Sequence, residues 1–149
     1  MSEANEDSRL EGACHCGAVR FSAKLLDGFN TIRRCTCTYC RMRGAIAVSA
    51  LVGDLEIRSG RDMLALYRFN TGVAEHFFCS RCGIYTHHRR RSNPNHYGVN
   101  VACLAGVSPF DFAEVPVMDG IAHPNDQGGV SRIVGYLRFD PLSVSKQTR

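Results

Sequence analysis

Seven of the eight cysteines in this 149-residue chain fall in three short clusters. They are Cys14-His15-Cys16, Cys35-Thr36-Cys37-Thr38-Tyr39-Cys40 and Cys79-Ser80-Arg81-Cys82-Gly83. Each cluster has the one- or two-residue spacing of metal ligands rather than the look of a disulfide framework. Any fold for this chain must bring such clusters together, and the rest of the sequence reads as β-scaffold that does so. The length suits one domain that buries its own core. A hydrophobic content of 44% excludes wholesale disorder. No stretch is long and apolar enough to span a membrane.

Met1 to Glu11 is polar and acidic, with neither a basic nor an apolar leader region, so it reads as an N-terminal arm and not a signal peptide. Residues 1–11 are thus a flexible arm, 12–140 a single zinc domain and 141–149 a tail. The reading places the chain in the cytoplasm, where thiols stay reduced and metal or redox chemistry outranks disulfides.

Val19 and Phe21 alternate with Arg20 and Ser22, as in a half-buried strand. Cys14 and Cys16 would then share a face, roughly 6.5–7 Å apart at the Cα in extended chain. Thiolates on one tetrahedral zinc sit about 3.8 Å apart. The chain must therefore bend there, and Gly17 is placed to allow it. His15 points away and reads as a surface residue.

Leu25 to Arg34 is a loop running into a short strand, after which Cys37-x-x-Cys40 folds back as a turn. Further strands are expected over Gly44–Val52, Asp54–Arg58, Leu64–Asn70, Val73–Phe78, Ile84–Arg91, Tyr97–Leu104 and Arg132–Phe139, with turns at Ser59-Gly60 and Thr71-Gly72. Cys103 lies on the valine face of its segment and reads as a buried apolar residue. Tyr39 reads as a packing residue. Ser108-Pro109 can start a helical turn. The run His87-His88-Arg89-Arg90-Arg91 reads as a solvated loop. Asp119 to Gly129 reads as a functional or mobile loop.

Cys79-x-x-Cys82-Gly83 is a zinc-knuckle signature: its tight turn aims backbone N–H groups at the thiolates, and the glycine takes the left-handed conformation that the turn needs. Seven thiols suit two metals better than one. Spacing permits a ribbon-type site from Cys37/Cys40 and Cys79/Cys82. It also permits a closed site of Cys14, Cys16, Cys79 and Cys82, with Cys35, Cys37 and Cys40 keeping an open position; this second division splits no cluster. An iron–sulfur cluster is a further use of thiols alone, but the Cys-x-Cys spacings and the knuckle glycine favour zinc.

The formal charge of +4 falls to about +1 once seven thiolates and two Zn²⁺ are counted. The basic excess therefore argues weakly for nucleic acid. The chain also lacks a long basic extension with interleaved aromatics. Sixteen of the eighteen basic residues are Arg, whose forks suit carboxylates and phosphates.

Gly12-Ala-Cys14-His-Cys16-Gly17-Ala-Val19-Arg-Phe21, then Cys35-Thr-Cys37-Thr-Tyr-Cys40-Arg41, then Phe78-Cys79-Ser-Arg-Cys82-Gly83 resembles the glutathione-dependent formaldehyde-activating enzyme / centromere protein V family, in order, through Val99–Gly106. The resemblance implies an all-β, Mss4-like fold of short antiparallel strands and zinc knuckles with little helix. It implies a structural zinc on Cys14, Cys16, Cys79 and Cys82, and a catalytic-type zinc on Cys35, Cys37 and Cys40. It also implies carbon–sulfur lyase-type chemistry, in which glutathione adds to formaldehyde or a related aldehyde to give S-hydroxymethylglutathione.

A three-thiolate zinc carries a net negative charge, so it suits holding a fourth thiolate better than generating hydroxide. Arg33, Arg34, Arg41 and Arg43 flank the central cluster, either to offset thiolate charge or bind an anion, or as a solvated basic rim. Arg41, Arg43 or Arg89 to Arg91 are candidates to hold the carboxylates of glutathione, and His123 in the late loop is a candidate acid–base residue. The expected partners are a small thiol and an aldehyde, with no membrane, no nucleic acid and a homodimer as the candidate assembly. The competing reading is a non-catalytic zinc module or glutathione carrier that binds a protein or nucleic-acid partner.

Overall fold

The computed structural model describes residues 8–121 and 131–142. His123 lies outside the described residues, as do most of the 141–149 tail and the first part of the 1–11 arm. The architecture is all-β, as expected: ten strands in two sheets, with one six-residue helix and three single turns of 3₁₀ helix among the described residues. The larger sheet has seven antiparallel strands. In spatial order they are β1 (Leu10–Ala13), β2 (Arg20–Leu25), β4 (Ala47–Ser59), β8 (His96–Asn100), β7 (Tyr85–Arg89), β6 (Glu75–Cys79) and β5 (Leu64–Tyr67). The smaller sheet runs β10 (Ile133–Arg138), β9 (Glu114–Met118), β3 (Arg34–Cys35), and its β3–β9 pair is parallel.

The main core is built from the inward positions of the central strands. Phe21, Ala23, Val48, Ala50, Val99 and Val101 are fully buried there, with Cys103 and Leu104 against them. Burying a side chain such as Phe21 is worth on the order of 2–3 kcal/mol. Ser22 is buried too, on the opposite face of β2. Arg9 satisfies it, donating through Nε to Ser22 Oγ (3.0 Å) and through Nη2 to Asp54 O (2.8 Å). That anchor and the pairing of Leu10 with Ala23 put ordered structure ahead of Gly12, so the sheet begins two residues before the expected boundary.

Three further departures have local causes. Gly44–Val52 and Asp54–Arg58 were expected as two strands, but Ala47–Ser59 is one strand. Gly53 and Asp54 do not break it. Its first half pairs with β8 and its second with β2, the change being absorbed by a register shift between Ala23 and Leu25. β8 stops at Asn100, short of Leu104. The Asn100 side chain accepts from Ala102 N (3.0 Å) and donates to Tyr85 O (2.8 Å), turning the chain into a 3₁₀ segment. Cys103, on that segment, is buried in the core as expected. β9, finally, has no counterpart in the sequence reading. Pro116 and a mixed burial pattern hide its period, and its parallel pairing with β3 positions Cys35.

Candidate functional site

The first cysteine group closes where the β1–β2 turn meets the β6–β7 knuckle. The chain bends after Cys14 as anticipated, with Gly17 N donating to Cys14 O (3.1 Å) and Gly17 at φ +78°. Gly83 ends the knuckle at φ +79°, its N–H on Cys79 O (2.7 Å). A residue with a Cβ would be strained there.

The sulfurs of Cys14, Cys16, Cys79 and Cys82 all lie within 4.8 Å of one another and can hold a metal ion. Cys14–Cys16 is 3.7 Å and Cys16–Cys79 is 3.8 Å. Those distances match the ~3.8 Å edge of a tetrahedral zinc–thiolate site. Backbone N–H groups of Val19 and Arg81 point at Cys14 Sγ (3.3 Å) and Cys79 Sγ (3.4 Å), as thiolates require. His15 is exposed and takes no part. Val19, Met63 and Leu64 pack against the group, so it forms the floor of a small second core.

The second group comes from different elements. Cys35 ends β3, Cys37 caps the helix α1 (Thr38–Arg43), and Cys40 lies in its first turn. The expected turn is therefore a short helix, closed by Gly44 in the left-handed region. The sulfurs of Cys35, Cys37 and Cys40 again lie within 4.8 Å of one another and can hold a metal. Cys37 N donates to Cys35 Sγ (3.4 Å) and Cys40 N to Cys37 Sγ (3.3 Å). Hydrogen bonds from the Cys35 and Cys40 thiols pull Cys37 down to about 2, while the same pairing pushes Cys40 up.

Gly120 presses on the triad from the loop after β9: a Cβ there would lie 2.3 Å from Cys35 Sγ and 2.8 Å from Cys37 N. Only glycine fits this approach, which Gly120 N secures on Thr36 Oγ1 (2.9 Å). The donor set, the inter-sulfur distances and this fitted cradle all suit a zinc ion.

The triad opens into a cavity of about 420 Å³. Arg33, His76, His88, Arg90 and Asp119 contribute to its lining. His76 and His88 are cross-strand partners on β6 and β7, with rings stacked at 5.2 Å. Arg43 ties the triad to them. Its Nη2 donates to Cys40 Sγ (3.3 Å) and its Nη1 to His76 Nδ1 (3.0 Å), and it stacks on Tyr85 at 3.7 Å. A guanidinium only donates, so His76 Nδ1 accepts and the proton of the neutral ring sits on Nε2.

Burial, with Arg43 beside it, lowers His76 to about 4, so the ring stays neutral near pH 7. Burial drives His88 well below the usual imidazole value and raises Tyr85, whose hydroxyl lies 2.6 Å from His88 Nδ1. Tyr39 packs in a ring cluster with Tyr67, Phe69 and His76.

Arg41 is exposed and does not line the cavity, and Arg43 is committed to Cys40, His76 and Tyr85. Cavity residues that the sequence reading passed over are His76, His88 and Gly120; Arg33 and Arg90, read there as candidate anion-binding arginines, do line the cavity. His88 was legible, two residues before Arg90 in one extended segment. The supposed solvated loop His87–Arg91 instead begins as β7, with His87 buried against Phe77.

The sequence profile of the glutathione-dependent formaldehyde-activating enzyme family matches residues 9–115. The chain belongs to this family. A Halomonas elongata protein, provisionally named a glutathione-dependent formaldehyde-activating enzyme, is 37% identical over 82 residues. That match covers 49% of this chain and 51% of the relative, so the alignment spans about half the length of each. A crystal structure of a Rhodobacter sphaeroides protein superposes with a TM-score of 0.71 at 57% identity, covering 72% of this chain and 98% of that one. All three cysteine clusters, and the cavity-lining residues from Arg33 to Ser92, fall within the profile match. Among the described residues, no helix is long and apolar enough to cross a membrane.

Proposed function

We propose that this member of the glutathione-dependent formaldehyde-activating family joins a small thiol, glutathione, to formaldehyde or a related small aldehyde in the cytoplasm. In this reading Cys14, Cys16, Cys79 and Cys82 carry a structural zinc, and Cys35, Cys37 and Cys40 carry a second. The observation that carries it is the contrast in closure: four sulfurs satisfy one site, whereas three sulfurs face a cavity large enough for a tripeptide. A zinc ion held by Cys35, Cys37 and Cys40 would favour the deprotonated form of a substrate thiol.

The chain's own residues supply the rest. In the addition, the thiol sulfur forms a bond to the carbonyl carbon, the carbonyl π pair moves to oxygen, and that oxygen takes the proton the thiol gave up. His76, held as the Nε2–H tautomer by Arg43, donates a hydrogen bond to the oxygen as its charge grows. His76 Nε2 is buried without a hydrogen-bond partner among the described residues, as a donor awaiting a substrate oxygen would be. Arg43 on Cys40 Sγ offsets thiolate charge.

Two measurements test the reading together. Glutathione titrated calorimetrically in two buffers of different ionisation enthalpy should release a proton, and S-methylglutathione should bind far more weakly. ¹³C NMR of formaldehyde and glutathione should show S-hydroxymethylglutathione forming faster with the protein than without. Equal affinity for both ligands, no proton release and no acceleration would overturn it, leaving a non-catalytic zinc module.

A further inference from the structure

Arg33 and Arg90 form a partly buried cationic pair that the reaction above does not use. Arg33 Nη1 donates to Thr31 O (2.9 Å) and Ser49 Oγ (3.1 Å). Arg90 Nη1 donates to the same Ser49 Oγ (3.3 Å), and its Nη2 to Ser92 Oγ (3.1 Å). The hydrogen bonds of both guanidiniums thus go to neutral oxygens, and the two positive groups share one hydroxyl. Arg33 Nη2 is buried with no hydrogen-bond partner among the described residues, on a residue that lines the cavity.

Ion pairs elsewhere go to other arginines. Glu56, Glu75 and Glu114 serve Arg9, Arg58, Arg68, Arg89 and Arg138. Asp119, the acidic residue of the lining, pairs with Arg132 (2.8 Å). The triad does not balance the pair either. Three thiolates with a divalent ion leave one negative charge, and Arg43 already stands on Cys40.

Two guanidiniums brought together out of water with neutral partners are costly unless an anion joins them. A guanidinium with an unused N–H edge matches a planar carboxylate. We infer that Arg33, Arg90 and Ser92 form a carboxylate subsite at the wall of the cavity, which anchors the thiol substrate while its sulfur reaches the Cys35/Cys37/Cys40 side. This rests on the thiol reading for the identity of the ligand, and it assigns the anchoring role to residues other than Arg41 and Arg43. It makes the enzyme selective for acidic thiols over neutral ones.

The test is binding of three probes to the protein as purified with its metal: glutathione, its diethyl ester with both carboxylates blocked, and S-methylglutathione. Wild type should bind the diester at least about tenfold more weakly than glutathione, in line with charged hydrogen bonds lost. Arg90→Gln, at a half-buried position, should weaken glutathione about tenfold and leave the diester unchanged. Arg33→Gln should do the same where it folds, and Arg58→Gln, at the end of β4 away from the cavity, should change neither. Equal affinity of wild type for glutathione and diester would overturn the subsite. So would an Arg90→Gln loss of the same size for both ligands, which marks a structural role.

S-methylglutathione separates this from failure of the thiol reading. If the subsite holds but the metal takes no thiol, S-methylglutathione binds like glutathione and Arg90→Gln still weakens both. If the metal takes the thiol but the subsite is absent, S-methylglutathione binds weakly and Arg90→Gln changes nothing.

Discussion

The two cysteine groups offer one donor chemistry, and what separates them is the framework behind each. The four-cysteine group joins the ends of two strand pairs that already belong to the large sheet. Each sulfur is set by a turn with fixed backbone hydrogen bonds, and the group is packed from below by Val19 and Leu64. The three-cysteine group hangs on a two-residue strand, a six-residue helix and the loop after β9. Its open side meets cationic and imidazole groups instead of a fourth sulfur. A site that completes its own coordination can serve stability. One that borrows a ligand from solution is free to serve binding.

Breaking either group should show this most strongly. Cys82→Ala removes one sulfur of the four-cysteine group, where a structural zinc would supply folding free energy on the order of 10 kcal/mol. The expected product is insoluble or unfolded, by circular dichroism. Cys40→Ala should remain folded, with zinc content by elemental analysis falling from two per chain to one and glutathione binding lost. Equal thermal destabilisation by the two substitutions would erase the distinction.

Gly120→Val probes the weaker framework without touching a sulfur. Its side chain would occupy the space of Cys35 Sγ, so the second zinc should be lost or bound much more weakly. The cost in stability should stay near about 1–3 kcal/mol, the range for overpacking. Full zinc occupancy in this variant would mean that the loop after β9 does not shape the site.

A smaller effect is expected at His76. His76→Phe keeps a ring in the stack and removes the Nε2–H donor. Turnover should fall about 100-fold, as for loss of one donor to a developing oxyanion, with the KM for glutathione nearly unchanged. A shift in KM alone would assign His76 to binding.

The smallest expected effect is a slope. Burial, then Arg61, lowers His87 to about 4, and burial likewise lowers His76 to about 4. Depressed imidazole values mean that the unfolded chain takes up protons first as pH falls. The stability these rings contribute is therefore complete above about 6.5 and is lost as pH drops through 4. For His87 the loss is on the order of 2 kcal/mol by pH 4.5. Thermal melts of His87→Phe should show a shallower decline between pH 6.5 and 4.5 than wild type, and identical slopes would contradict it.

Much of this was legible in the sequence because metal ligands and turn glycines act locally. The spacing of Cys79-x-x-Cys82-Gly83 specifies its own turn, and the Cys14–Gly17 bend follows from the distance two sulfurs must keep. What was hidden depends on contacts distant along the chain. The hydrogen bond that holds His76 as one tautomer needs Arg43 from α1, and the ring stacked on it is His88 from β7, neither of which a period reveals. Gly120 matters only because β9 lies parallel to β3, and a short parallel pair leaves no alternation to read. The run at His87–Arg91 misled because its charge suggested solvent, whereas alternate residues of a strand face opposite sides. His88 and Arg90 thereby enter the cavity.

The most direct test of the division of labour is graded removal of metal from the intact protein. A chelator would be added in small steps while zinc release, far-ultraviolet circular dichroism and glutathione binding are followed in parallel. The structure predicts two phases: a first equivalent of zinc leaves with glutathione binding lost and the fold intact, and a second leaves as the protein unfolds. Release of all zinc in one phase, with the fold collapsing from the first addition, would contradict it.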